Sequence, residues 1–195
     1  MKKQTTLFIA LLLILVALLG LSSSFKLFHR QKVGDVIDSL NSVAVYYNGK
    51  VGNSFGRNST SDGYNLGLKY QCVEFVKRYY YNHLKHRMPY SYGNAKDFFD
   101  SSIEDGTLNK KRNLIQYSNP GKSKPSVDDI LIFDGTIFNQ YGHVAIIANV
   151  EENRVQIIQQ NLGPFGNSRR WMKISFKNNL WQFKDRKVLG WLRKK

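Results

Sequence analysis

The hydrophobic pattern of this chain changes period once, and that change fixes the class of fold open to it. Between Gln71 and His86 the residues Cys72, Val73, Phe75, Val76, Tyr79, Tyr80 and Leu84 recur at the i, i+3, i+4, i+7 spacing of one buried helix face, and Pro89 stops the run. Shorter helices are predicted over 36–44 and 94–99. From Ile130 onward the period is two. Strands are predicted over 130–133, 142–150, 154–161, 171–176 and 188–192, with Glu151-Glu152-Asn153 as the loop of a hairpin. Val45-Tyr46-Tyr47 before Asn48-Gly49 reads as a further strand entering a turn. Residues 49–69, rich in Gly, Asn and Ser, read as a long loop, as do residues 119–126. A helix followed by a run of antiparallel strands is an α+β domain. A length of 195 residues suffices for one such core.

The first residues carry an address. Met1-Lys2-Lys3 precedes an uncharged apolar run from Leu7 to Leu21, the layout of a signal peptide or an N-terminal membrane anchor over residues 1–24. Lys26, Arg30 and Lys32 roughly balance the charges on the other side, so the positive-inside rule orients the segment only weakly. Residues 25–44 are expected to be a basic linker and the short helix, and residues 45–195 the main domain. The expected destination is outside the cytoplasm: periplasm, cell envelope or medium. The net charge of +15 favours an anionic wall or lipid surface. No nucleic-acid module signature is present, which argues against nucleic acid. A monomer is expected.

One cysteine in 195 residues rules out an intramolecular disulfide and any multi-cysteine zinc site. His83 and His86 have nothing nearby to complete a metal set and read as solvated surface histidines. Cys72, by contrast, falls at the first turn of the predicted helix, where unpaired N–H groups favour a thiolate. A thiolate nucleophile needs a proton carrier within reach. His29 is in the linker, and His83 and His86 lie about three turns along the helix. His143 remains, at the start of the strand Gly142-His143-Val144-Ala145-Ile146-Ile147. Its imidazole needs an orienting acceptor, and Gln159 or Asn161 supplies one if the hairpin register puts odd residues opposite odd. A three-residue loop does this, pairing Val150 with Arg154 and bringing His143 opposite Asn161; a two-residue turn would not.

Tyr70-Gln71-Cys72-Val73-Glu74-Phe75, Gly142-His143-Val144-Ala145-Ile146-Ile147 and Gln159-Gln160-Asn161 resemble the three signature segments of the CHAP (cysteine, histidine-dependent amidohydrolase/peptidase) domain. Leu189-Gly190-Trp191 and Asp129-Ile130-Leu131-Ile132-Phe133-Asp134 extend the resemblance, which covers about residues 45–193 and is strongest toward the glutathionylspermidine amidase branch. It implies a papain-like (NlpC/P60-type) cysteine hydrolase fold, the helix with the cysteine packed on the antiparallel sheet that carries the histidine. It implies Cys72 as nucleophile and His143 as general base and acid. The family's usual third residue is the Glu of a Glu-x-Asn motif; Gln159 stands there in this chain, and Asn161 keeps the pattern. The backbone N–H of Cys72, with the Gln71 region, is expected to hold the oxyanion. No metal or organic cofactor is expected.

Export points to a peptidoglycan amide as substrate. The branch points instead to a small peptide–polyamine amide of the glutathionylspermidine kind. A catalytically inactive wall-binding relative is the third possibility.

Overall fold

The computed structural model describes residues 13–14 and 31–195. Leu13 and Ile14 are helical; the rest of the predicted signal or anchor segment lies outside the described residues. Among the described residues no helix is long and apolar enough to cross a membrane. Residues 33–195 form one unit.

That unit opens with a hairpin, not with the helix predicted over 36–44. Strands β1 (Val36–Leu40) and β2 (Val43–Tyr46) pair antiparallel, with Leu40 opposite Val43. Asn41 and Ser42 between them sit at φ 46° and 63°, the paired left-handed residues of a tight hairpin turn. Val and Ile lose side-chain freedom in a helix, and here they meet a turn-forming Asn-Ser, so the extended form wins. The predicted long loop over 49–69 also holds a hairpin, of β3 (Arg57–Ser59) and β4 (Asn65–Leu68).

Helix α1 runs from Cys72 to Asn82. It ends well before Pro89: His83 closes it with a bond from its N–H to the Tyr79 carbonyl (2.9 Å), and Lys85 turns left-handed at φ 51°. The helix predicted over 94–99 is a single 3-10 turn, Lys96–Phe98.

The remaining strands are β5 (Thr107–Asn109), β6 (Leu114–Ser118), β7 (Ile130–Phe133), β8 (His143–Val150), β9 (Arg154–Ile158), β10 (Arg169–Lys177), β11 (Leu180–Phe183) and β12 (Val188–Arg193). They form one antiparallel sheet in the order β11-β10-β9-β8-β7-β12-β6-β5. Alternation along β7, β8 and β9 splits the core in two. Ile130, Ile132, Val144, Ile146 and Ile158 pack with Phe75, Val76, Tyr79 and Tyr80 of α1. Leu131, Phe133, Ala145, Ile147 and Ile157 pack on the other face with Met172, Ile174, Phe183 and Trp191. Among the described residues no helix contributes to this second cluster; beyond β7 to β9, its buried members come from strands β10 to β12 of the same sheet.

The β8–β9 hairpin reaches the required register by an unexpected route. Its turn is two residues long, since the Glu151 N–H bonds the Arg154 carbonyl and Val150 faces Val155. Continued unchanged, that ladder would set His143 and Gln159 on opposite faces. A bulge between Ile147 and Asn149 absorbs one residue, after which Ile147 faces Ile157 and Ile146 faces Ile158. Odd residues oppose odd from there on, as the site needs.

Candidate active site

Two left-handed residues deliver the two central side chains. Tyr70, at φ 65°, turns the chain out of the β3–β4 hairpin; Gln71 is extended, and Cys72 is the first residue of α1. A tyrosine in this conformation costs about 1–3 kcal/mol, held here by edge and tilted contacts of its ring with Tyr46 and Phe55. On the other wall Gly142, at φ 74°, precedes His143. A Cβ there would come within 2.5 Å of the Phe133 carbonyl oxygen, so only glycine lets β8 start at that point.

The His143 Nε2–H donates to Gln159 Oε1 at 3.1 Å. The Gln159 amide is oriented by its own Nε2, which donates to the Asn167 carbonyl at 3.3 Å. This fixes the tautomer and leaves Nδ1 as the acceptor nitrogen. Burial, together with the nearby Arg170 cation, drives the His143 pKa down to about 4 against the raising effect of Gln159. Burial likewise pushes the Cys72 thiol up; the N–H groups of Val144, Val73 and Cys72 itself oppose that shift without reversing it. The helix-end argument for a resting thiolate is therefore overturned: desolvation outweighs the first-turn amides. At neutral pH the pair rests as thiol and neutral imidazole.

Asn161 does not reach His143. Strand β9 ends at Ile158, and Asn161, at φ 67°, turns away. Its Nδ2 donates to Gln71 Oε1 (2.5 Å) and to the Val51 carbonyl (3.1 Å), while its Oδ1 accepts from Asn48 Nδ2 (2.6 Å). Gln71 in turn donates to the carbonyls of Asn53 (2.5 Å) and Val51 (3.4 Å). Its side chain thus pins the 48–53 turn to the start of α1 and has no amide hydrogen left for an oxyanion.

The sequence reading gave Gln160 no role, yet it is 1% exposed and ties three elements together. Its Oε1 accepts from the Tyr46 N–H (2.7 Å), and its Nε2 donates to the Gln71 carbonyl and to Glu74 Oε2 (both 3.0 Å). Glu74 is also buried and pairs with Arg78 (2.6 Å). Gln160 lies past the end of β9 at Ile158, so strand alternation did not announce its contacts. His86 is a further correction. It is buried, with Nε2 against the Arg112 carbonyl (2.9 Å), whereas His83 is exposed as expected. Among the described residues no cluster of His, Cys, Asp or Glu could hold a metal ion.

Cys72, His143, Gln71 and Asn161 line one open cleft of about 880 Å³. The β3–β4 hairpin forms part of one wall with Arg57 and Asn65, and the loop from Ile137 to Gly142 forms another, its tip residues Ile137 and Phe138 almost fully exposed.

A helix that begins at Cys72 and a sheet strand that begins at His143 thus line the same cleft, and the comparisons bear on the class of such a domain. The CHAP domain model matches residues 61–161, more than half of the chain, and the chain belongs to that family. Among curated proteins, the bifunctional glutathionylspermidine synthetase/amidase of Escherichia coli (strain K12) is 29% identical over 139 residues, 65% of this chain and 22% of its own length. Trypanothione synthetase of Crithidia fasciculata is 26% identical over 137 residues, 67% of this chain and 20% of its own. The chain thus spans about a fifth of the length of these relatives. Among solved structures, the crystal structure of Ly7917 overlaps 38% of this chain and 30% of its own, with TM-score 0.28 and 24% identity.

Proposed function

We propose that the chain is an exported cysteine amidase or endopeptidase that hydrolyses an amide bond of peptidoglycan, on a papain-like scaffold. The observation that carries this reading is the oriented bond from His143 to Gln159, with His143 lining a cleft that Cys72 also lines. Export rests on the Lys2-Lys3 and Leu7–Leu21 pattern, and the wall substrate on that pattern together with the +15 charge.

In this mechanism the Cys72 sulfur attacks the amide carbonyl as its proton passes to His143 Nδ1, left free by the bond at Nε2. A base with pKa about 4 is unprotonated at neutral pH and available at once. The imidazolium formed on attack is stabilised by the Gln159 oxygen dipole and then protonates the departing amine. The thioester is hydrolysed by water that the neutral imidazole activates. The Cys72 backbone N–H, at the head of α1, supports the oxyanion.

The names of the relatives favour a second reading, an amidase acting on a glutathione–polyamine conjugate. Chromatography with mass detection separates the two: the first reading predicts new amino termini from purified sacculi, the second free polyamine from the conjugate and intact sacculi. A folded protein active on neither would leave a non-catalytic wall binder.

A further inference from the structure

The cleft is electrostatically one-sided. Among its described lining residues none is acidic, and Arg57 is the one permanent charge. Arg57 enters from β3, where Nη1 donates to Asn65 Oδ1 (3.0 Å) and the guanidinium lies 5.6 Å from the centre of the Tyr92 ring. These contacts occupy Nη1 and one face of the guanidinium. No ion pair among the described residues involves it.

A second cation stands behind it. Lys77 is 1% exposed, and its Nζ donates to the carbonyls of Asn65 and Ser91, both cleft residues. Burial, with Arg112 and Arg57 nearby, lowers its pKa to about 7. The acids of this region are spent elsewhere. Glu74 serves Arg78, Asn58 and Gln160, Asp62 serves Arg87 and Thr60, and Asp97 accepts from the Asn94 N–H beside Arg112. A planar fork without a counter-ion, exposed on the cleft wall, matches a carboxylate better than any neutral or cationic group.

We infer that Arg57 is a specificity-determining residue: it holds a free carboxylate of the substrate, on the portion bound along the β3–β4 wall. This rests on the hydrolase reading for the bond broken, but the charge preference is measurable without turnover. The substrate class narrows to amides whose bound portion is anionic, and a polyamine end is kept off this wall.

The test uses two alkylating probes that differ only in charge, chloroacetyl-dialanine and its C-terminal carboxamide. Each forms a C–S bond at Cys72 and expels chloride, the thiol proton passing to His143 or solvent. Iodoacetamide is the control for thiol reactivity. At low salt the free carboxylate should label the wild type about fivefold faster than the carboxamide. Arg57→Lys should keep part of that ratio, Arg57→Ala should bring it to within about twofold of unity, and Arg57→Glu should invert it, with the iodoacetamide rate little changed. Equal labelling of the wild type by both probes, or a ratio that survives Arg57→Glu, overturns the assignment. A protein that shows the ratio yet hydrolyses neither sacculi nor conjugate refutes the hydrolase reading and leaves the carboxylate site standing.

Discussion

His143 sits in a site that favours its neutral form, and one atom of its neighbour decides by how much. Gln159 offers an oxygen dipole where a carboxylate would offer a full charge. Gln159→Glu should raise the His143 pKa from about 4 by one to two units. Cys72 would then ionise more readily, and the alkylation rate at pH 6 and the turnover rate should both rise. In the wild type, alkylation should instead climb toward alkaline pH with no plateau on the acid side, because burial holds the thiol up. A stopped-flow pH profile with a neutral reagent reads both. Removing the sulfur in Cys72→Ala, or the imidazole in His143→Ala, should lower turnover by at least about three orders of magnitude while the fold survives. That Cys72 and His143 line one cleft was legible from the motif order and from a simple need for reach. Their protonation was not, because desolvation depends on what closes over each group.

At the scale of elements, the site is a junction of short segments that the sequence only partly announces. Helix α1, β8 and β9 follow from hydrophobic period, but the hairpins β1–β2 and β3–β4 do not. Their strands are only three to five residues long and are interrupted by polar positions. The β8–β9 register shows the same limit. Parity alone called for an odd loop, while the chain uses a two-residue turn and a bulge, which no alternation pattern reveals. Asn161 was expected beside His143 for the same reason, since nothing in the pattern shows that β9 ends at Ile158. Gln160 is the residue that joins these segments. Gln160→Ala should leave the Tyr46 N–H and part of Glu74 unpaired and cost about 2 kcal/mol in urea unfolding. It should also reduce turnover more than it raises KM, because the Gln71–Cys72 turn loses its anchor to the sheet.

At the scale of the whole molecule, the surplus of positive charge includes a buried lysine that leaves a distinct mark on stability. Lys77 titrates near 7 in the folded chain and near 10.5 when unfolded. Between those values the unfolded chain binds up to one more proton, so stability rises with pH across the window, by up to about 1.4 kcal/mol per pH unit. Lys77→Met should remove that part of the slope between pH 7.5 and 9.5 in urea unfolding, whatever it does to absolute stability. The α+β class and the order of helix before sheet were readable because period depends on nearest neighbours along the chain. The position of β12 between β7 and β6 was not, because it is settled by distant residues such as Trp191 finding room in the second core.

On the proposed function, Cys72 breaks an amide bond of the cell wall. Purified sacculi incubated with the wild type, and with Cys72→Ala matched for fold by circular dichroism, test it most directly when newly freed amino groups are counted and the products weighed. The wild type should release discrete fragments with one new amino terminus per cut, and the variant none. Intact sacculi after incubation with the wild type, or equal release by Cys72→Ala, would contradict it.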